Sequence, residues 1–186
     1  MADLSAEPPF GAMDERRIGS VRLVSRAHSP VTGIAAFRDR AEMLSARLQG
    51  IIGAPLPKTG RWAATSSGFV MWAGRDRWFV VGEALSRDAL GGLAALTDET
   101  HAWAVAELVG GGASDVLARL VPLDLHPALF APGHVARAPI GHMPGCVRRT
   151  AAGFELWVWR SVAGTLVREL EAAMTRVAGR AALDGR

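Results

Sequence analysis

The segment Arg61-Trp62-Ala63-Ala64-Thr65-Ser66-Ser67-Gly68-Phe69-Val70-Met71-Trp72-Ala73-Gly74-Arg75-Asp76-Arg77-Trp78-Phe79-Val80-Val81 decides how the chain is read. Aromatic and apolar runs at 61–65, 69–73 and 78–81 alternate with Ser66-Ser67-Gly68 and Gly74-Arg75-Asp76-Arg77. Short runs of this kind bounded by Gly, Ser and Asp mark antiparallel strands joined by tight turns. The segment therefore predicts a meander that carries Trp62, Trp72 and Trp78.

Toward the N-terminus, Leu44, Leu48, Ile51 and Ile52 recur at helical spacing. Asp39 and Glu42 are placed as a capping box before them, and Gly53 and Pro55 end the run. Val21-Arg22-Leu23-Val24 reads as a short strand, and 1–18, with Pro8-Pro9 and no periodicity, as a flexible arm. Its polar character and lack of an apolar core argue against a secretory signal.

Toward the C-terminus, Leu90, Leu93 and Leu96 predict a helix over 86–96, which Gly91-Gly92 weakens. The stretch 101–109 alternates, with Trp103, Val105, Glu107 and Val109 on one face. Gly110-Gly111-Gly112 breaks it, Ser114 is placed as the cap of a short helix, and Pro122 stops that helix. Strands are expected near 135–142, 146–149 and 154–159, the last alternating Phe154, Leu156 and Val158 with Glu155, Trp157 and Trp159. A final helix is expected behind a Ser161 cap. Its inner stripe is Leu166, Leu170, Ala173, Met174 and Val177, and Gly179 closes it. The fold class is α+β, an antiparallel sheet with packed helices, organised as one domain over 19–180 with a tail at 181–186.

Composition narrows the function. The 186 residues suit one domain, and 49% hydrophobic with 21% charged residues is ordinary globular usage. No stretch approaches the ~20 apolar residues of a membrane helix. A single cysteine, Cys146, excludes an internal disulfide and a cysteine-based zinc cluster, and a cytoplasmic location is expected. The isoelectric point near 10.3 coexists with a net charge of only +3. Lys58 is the one lysine among 21 basic residues, so the value reports arginine usage and not a nucleic-acid-binding field.

Few side chains are spaced for chemistry. The triple glycine lacks the Lys-Ser/Thr ending of a P-loop. His126, His134 and His142 recur every eight residues near Asp124, which matches no zinc spacing. They leave a small metal hydrolase as a remote third reading. His126 reads as a locally bonded loop residue and His142 as a half-buried strand residue. Cys146 beside Arg148 reads as packing, and no Gly-x-Ser-x-Gly elbow is present. The six tryptophans fit a core or a subunit contact. The block Pro122-Leu123-Asp124-Leu125-His126-Pro127-Ala128-Leu129-Phe130 is too apolar for a free loop. Leu123, Leu125, His126, Leu129 and Phe130 are the candidate interface residues, in a rigid block tucked against the sheet.

Several segments, in order, carry a resemblance to a known family: Met71-Trp72-Ala73-Gly74-Arg75-Asp76-Arg77-Trp78, Asp98-Glu99-Thr100-His101-Ala102, Gly112 to Ala118, Pro122 to Pro127 with Phe130, Gly141-His142, and 154–163. Together they resemble the gamma subunits of heterotetrameric sarcosine oxidases, which are similar to the folate-binding domain of the glycine-cleavage aminomethyltransferases. Glu99-Thr100, Val121 and Trp159-Arg160-Ser161-Val162 depart from that family's pattern. The resemblance implies a subunit with no cofactor, catalytic or metal-binding residue of its own, in contact chiefly with an alpha subunit. It implies NAD, tetrahydrofolate, FAD, FMN and zinc in the alpha, beta and delta partners, and neither nucleic acid nor membrane as a partner. The complex would demethylate sarcosine to glycine, passing the carbon to tetrahydrofolate and reducing oxygen to hydrogen peroxide. A subunit of a related N-methyl amine oxidase or dehydrogenase stands beside this reading. So does a free-standing folate-binding protein using Glu107 or Asp124.

Overall fold

A computed structural model describes residues 7–184 apart from His28. Strands and helices are numbered in chain order. One antiparallel sheet has six strands in the order β1 (Glu15–Ile18), β2 (Val21–Ser25), β8 (Trp103–Gly110), β11 (Gly153–Trp159), β10 (Met143–Arg149) and β9 (Val135–Ile140). The other has five, in the order β4 (Trp62–Ala64), β5 (Phe69–Gly74), β6 (Arg77–Val81), β3 (Val31–Ala36) and β7 (Ala94–Asp98). Every pairing is antiparallel.

Three apolar clusters show how the layers stack. The first joins the outer face of the six-stranded sheet to α2 (Ala113–Leu117) and α3 (Ala163–Asp184), through Leu23, Leu108, Phe154, Leu156, Leu166 and Leu170. The second fills the space between the sheets with Val31, Met71, Phe79, Trp103, Cys146 and Trp157. The third packs α1 (Ala41–Ile52) on the outer face of the five-stranded sheet through Leu44, Leu48, Ile52, Val70, Val80 and Leu90. The result is helix, sheet, sheet, helix. Both sheets are covered on both faces, so β8 and β11 are buried almost end to end and carry apolar residues at odd and even positions alike. Burying a large apolar side chain contributes about 1.5–3 kcal/mol, and these three clusters supply most of that gain.

The meander forms as the sequence predicts. Asp76 takes a positive φ of 54° in the β5–β6 turn, and Gly68 N–H bonds the Thr65 hydroxyl at 3.0 Å in the β4–β5 turn. Gly53, at φ 78°, ends α1 as expected. Gly110, at φ 117°, turns β8 toward α2, and a Cβ there would run into the Ser20 carbonyl oxygen.

Several expectations are corrected. The flexible arm at 1–18 contains β1, paired with β2, and Met13 is buried; residues 1–6 lie outside the described residues. The strand β3 has no counterpart in the sequence reading. The helix expected over 86–96 is one 3₁₀ turn, Asp88–Leu90, followed by β7. Asp39 does not cap α1, because its φ of 60° places Arg40 at the cap position. Ser114 lies inside α2, which begins behind Gly112, and Ser161 lies in a 3₁₀ turn before α3. Gly179 does not stop α3, which runs through the expected tail to Asp184; Gly185 and Arg186 lie outside the described residues.

Candidate functional site

The chemistry-bearing side chains gather between the sheets. The register sets Arg148 on β10 directly opposite Glu155 on β11, and Glu155 directly opposite Glu107 on β8. Residues alternate faces along a strand, so Arg148, Glu155, Glu107, Trp157 and Trp103 all enter the inter-sheet layer. Two glutamates set opposite one another destabilise a sheet unless cations intervene. Two arginines do so. Arg148 meets Glu155 in a forked pair at 2.6 and 2.9 Å. Arg26, just beyond β2, reaches Glu107 at 3.6 Å and Glu155 at 3.9 Å.

The Arg148–Glu155 pair is held in place by aromatic rings. The Arg148 guanidinium lies 3.7 Å from the Phe69 ring centroid and 4.3 Å from that of Trp62. The Trp157 indole N–H donates to Glu155 Oε2 at 3.3 Å. Arg148 and Glu155 are only 6% and 4% exposed, so desolvation is the dominant cost of this pair. Fork geometry, ring faces and the indole donor together offset it.

A cavity of about 430 Å³ opens beside the pair, lined by Val31, Phe69, Trp103, Trp157, Glu155 and Arg26 among others. Its size suits a small ligand. Its one buried carboxylate is already committed, however. One oxygen of Glu155 takes Arg148, and the other takes Arg148 and Trp157. Those bonds lie within the six-stranded sheet, Arg148 reaches the other sheet through the Phe69 and Trp62 rings, and neither Glu155 oxygen is left free to act as a base.

The other candidates are dispersed. His126 is exposed, and its Nδ1 accepts the Ala128 N–H at 3.3 Å. His134 Nδ1 lies 2.8 Å from the Ala131 carbonyl, to which it donates. His142 is exposed in the β9–β10 turn, not half-buried in a strand. Among the described residues no group of three His, Cys, Asp or Glu side chains is placed to hold a metal ion. Asp124 accepts the His126 N–H at 2.9 Å in its own loop and does not line the inter-sheet cavity.

The block 122–130 is divided. Leu125 and Phe130, each 7% exposed, point into the cluster shared with α3, and Leu123 packs against its rim. These three are side chains of the domain's own core. His126 and Leu129 face outward, Leu129 at 62% exposure.

Cys146 is fully buried between the sheets, and burial pushes its thiol up from 9.0 to about 11. The thiolate is the reactive form, so native protein at pH 8 is expected to resist iodoacetamide while denatured protein alkylates. The same shift carries a stability sign. Between pH 9 and 11 the unfolded thiol loses its proton before the folded one, so stability falls as pH rises through that window. Urea midpoints at pH 8 and 10, with Cys146→Ala as reference, measure the difference. An equal fall in both proteins removes Cys146 as its cause.

The Arg148–Glu155 pair escapes linear reading. Its only sequence signal is the short Thr150–Gly153 turn, which fixes the register that places the two opposite one another.

Fold and site define a two-sheet α+β domain whose inner charges pair with one another. No family model and no curated protein matches the sequence. Among solved structures, the chain superposes on a chain of the heterotetrameric sarcosine oxidase from Corynebacterium sp. U-96, a structure in complex with pyrrole 2-carboxylate. The TM-score is 0.76 at 24% identity, over 89% of this chain and 89% of that one. The fold is shared, and equal coverage both ways means that the two chains have nearly equal length. Among the described residues no helix is long and apolar enough to cross a membrane.

Proposed function

We propose that this chain is the gamma-type, non-catalytic small subunit of a flavin-dependent heterotetrameric sarcosine oxidase, and that it supports assembly of the complex. One observation carries the reading: the chain matches, along nearly the whole of both lengths, a chain of such an oxidase. The ordered motifs from Met71 to Ala163 point the same way. The side-chain chemistry agrees with a structural role, because Glu155 is tied to Arg148, Glu107 to Arg26, and the single thiol is buried with its pKa raised. On this reading the oxidative demethylation takes place on alpha, beta and delta partners, which hold FAD, FMN, NAD, tetrahydrofolate and zinc, and the complex is cytoplasmic.

Co-expression with the neighbouring genes and affinity purification test it. The expected result is a stoichiometric complex with a large flavoprotein. Recovery of this chain alone, as a stable monomer, sinks the proposal.

The inter-sheet cavity raises a second reading, a free-standing folate-binding protein. The residues do not fit it: a pterin ring needs a free carboxylate, neither Glu107, which faces Arg26, nor Asp124, which accepts the His126 N–H, lines the cavity, and Glu155, which does, is taken by Arg148 and Trp157. Titration calorimetry of the isolated chain with tetrahydrofolate is expected to show no saturable heat. Micromolar binding would restore that reading.

A further inference from the structure

Four strands form the edges of the two sheets, and three of them are protected. Edge strands otherwise invite pairing with another chain, which charge, proline or cover prevents. β1 carries Glu15, Arg16 and Arg17. β9 carries Arg137 and Pro139. β4 is three residues long and is tied to the neighbouring loop, with Trp62 N–H donating to the Gly133 carbonyl at 3.0 Å. β7 has none of these devices over Ala94-Ala95-Leu96-Thr97.

The register shows which backbone groups β7 leaves free. Phe37 N–H bonds the Leu93 carbonyl at 3.0 Å, and Glu99 N–H bonds the Val31 carbonyl at 2.8 Å. Hydrogen-bonded and non-hydrogen-bonded pairs alternate in an antiparallel ladder, so Ala95 and Thr97 bond β3 as well. The N–H and C=O groups of Ala94, Leu96 and Asp98 therefore point outward, where among the described residues no strand lies.

The two faces beside this edge differ. On the α1 side, Leu93, Ala94 and Leu96 are half-buried apolar side chains. On the other side, Ala95 and Thr97 line a groove of about 300 Å³ with Trp159, Arg77 and Arg137. Trp159 lies flat on Trp103 at 4.3 Å and is still 41% exposed. Among the described residues neither arginine has a carboxylate within ion-pair distance, and the groove's own Glu99 accepts the Trp103 indole N–H at 2.8 Å.

We propose that β7 receives an extended segment of a partner polypeptide as a sixth strand of its sheet, with acidic side chains directed toward Arg77 and Arg137 and an apolar one against Trp159. Backbone pairing supplies the affinity in such strand addition, and alternate side chains supply the selectivity. A second copy of this chain fits poorly. Its β7 brings only alanine, leucine and threonine before Asp98, whose carboxylate accepts the Thr100 N–H at 3.0 Å, so Arg77 and Arg137, the latter donating to the Ala73 carbonyl at 2.6 Å, would both stay without a carboxylate. The chemistry of the segment stands on these observations; that it belongs to the large subunit rests on the assembly reading above.

Two arms test the proposal on the full chain. In the first, a labelled heptapeptide alternating valine with glutamate around a central tryptophan is titrated against the chain, with anisotropy and residue-resolved hydrogen exchange as readouts. Saturable binding is expected, with exchange slowed about tenfold or more at Ala94, Leu96 and Asp98 and unchanged at Ala95 and Thr97. A94P removes only an outward N–H, and T97E sets an exposed carboxylate into the groove, where it repels the peptide's glutamates and competes for the two arginines; either is expected to weaken binding about tenfold or more with an unchanged melting temperature. Absence of that alternating protection, binding that survives both variants, or dimerisation of the chain through β7 overturns the proposal. In the second arm, hydrogen exchange is compared between the free chain and the co-expressed complex. Assembly without protection at Ala94, Leu96 and Asp98 overturns the inference and leaves the assembly reading standing. Failure to assemble removes the assembly reading, and the peptide arm then decides this one.

Discussion

Glu155→Gln is expected to destabilise the protein by about 3–5 kcal/mol, because it leaves the Arg148 guanidinium charged, buried and without a counter-ion. For a chain of this length that is a fall of about 10 °C in melting temperature. Arg148 cannot escape by losing its proton, since arginine stays charged in proteins. Nor can it swing into water without abandoning the Phe69 and Trp62 rings that hold it. Glu107 gives little relief, because Arg26 already engages it. The double variant R148M/E155L separates charge from packing. It removes both ions and keeps similar volume, so stability close to wild type is expected, as for other buried pairs replaced by apolar residues. Urea unfolding of the three proteins measures both effects. A single variant with a wild-type midpoint shows that the pair carries no strain when broken, and the account of the inter-sheet layer then fails.

Legibility followed how local the determining physics is. The meander was readable because two turns with obligate residues frame it, and the α1 stripe because Leu44, Leu48 and Ile52 lie on one helical face. The β7 region was misread for the opposite reason. Leu90, Leu93 and Leu96 are spaced like a helical stripe, yet Gly91 and Gly92 both adopt positive φ and divide them among a 3₁₀ turn, a loop and a strand. All three leucines still pack in the α1-side cluster, so the burial was legible and the route of the chain was not. β3 was invisible because Val-Thr-Gly-Ile-Ala-Ala is buried on both faces at its start and carries no alternation. Gly33 leaves room there for the Glu99 side chain, a need that only the folded chain shows. The Arg148–Glu155–Arg26–Glu107 cluster draws on four strands or their ends. Its members lie up to 129 positions apart, from Arg26 to Glu155, and no periodicity spans that distance.

The same distinction decides what substitutions in the block 122–130 will do. L125D/F130D is expected to abolish folding outright, before any question of assembly arises. Both side chains are 7% exposed, and Phe130 lies parallel to Phe154 at 6.5 Å within the cluster beneath α3. Truncating such residues to alanine costs about 2–5 kcal/mol each. Aspartate adds the desolvation of a carboxylate with no partner. The total meets or exceeds the roughly 5–15 kcal/mol that holds a domain folded. Leu129→Asp is the informative contrast, because Leu129 is 62% exposed in the same block. Its cost to the isolated chain should stay within about 0.5 kcal/mol. Circular dichroism melts check both expectations: no cooperative transition for the double variant, and a wild-type curve for L129D. Loss of co-purification by L129D alone would then place the outward face of this block at the partner, since folding is intact. A cooperative, wild-type melt for L125D/F130D would show instead that Leu125 and Phe130 are not core residues, and that the block can present its apolar side chains to another chain after all.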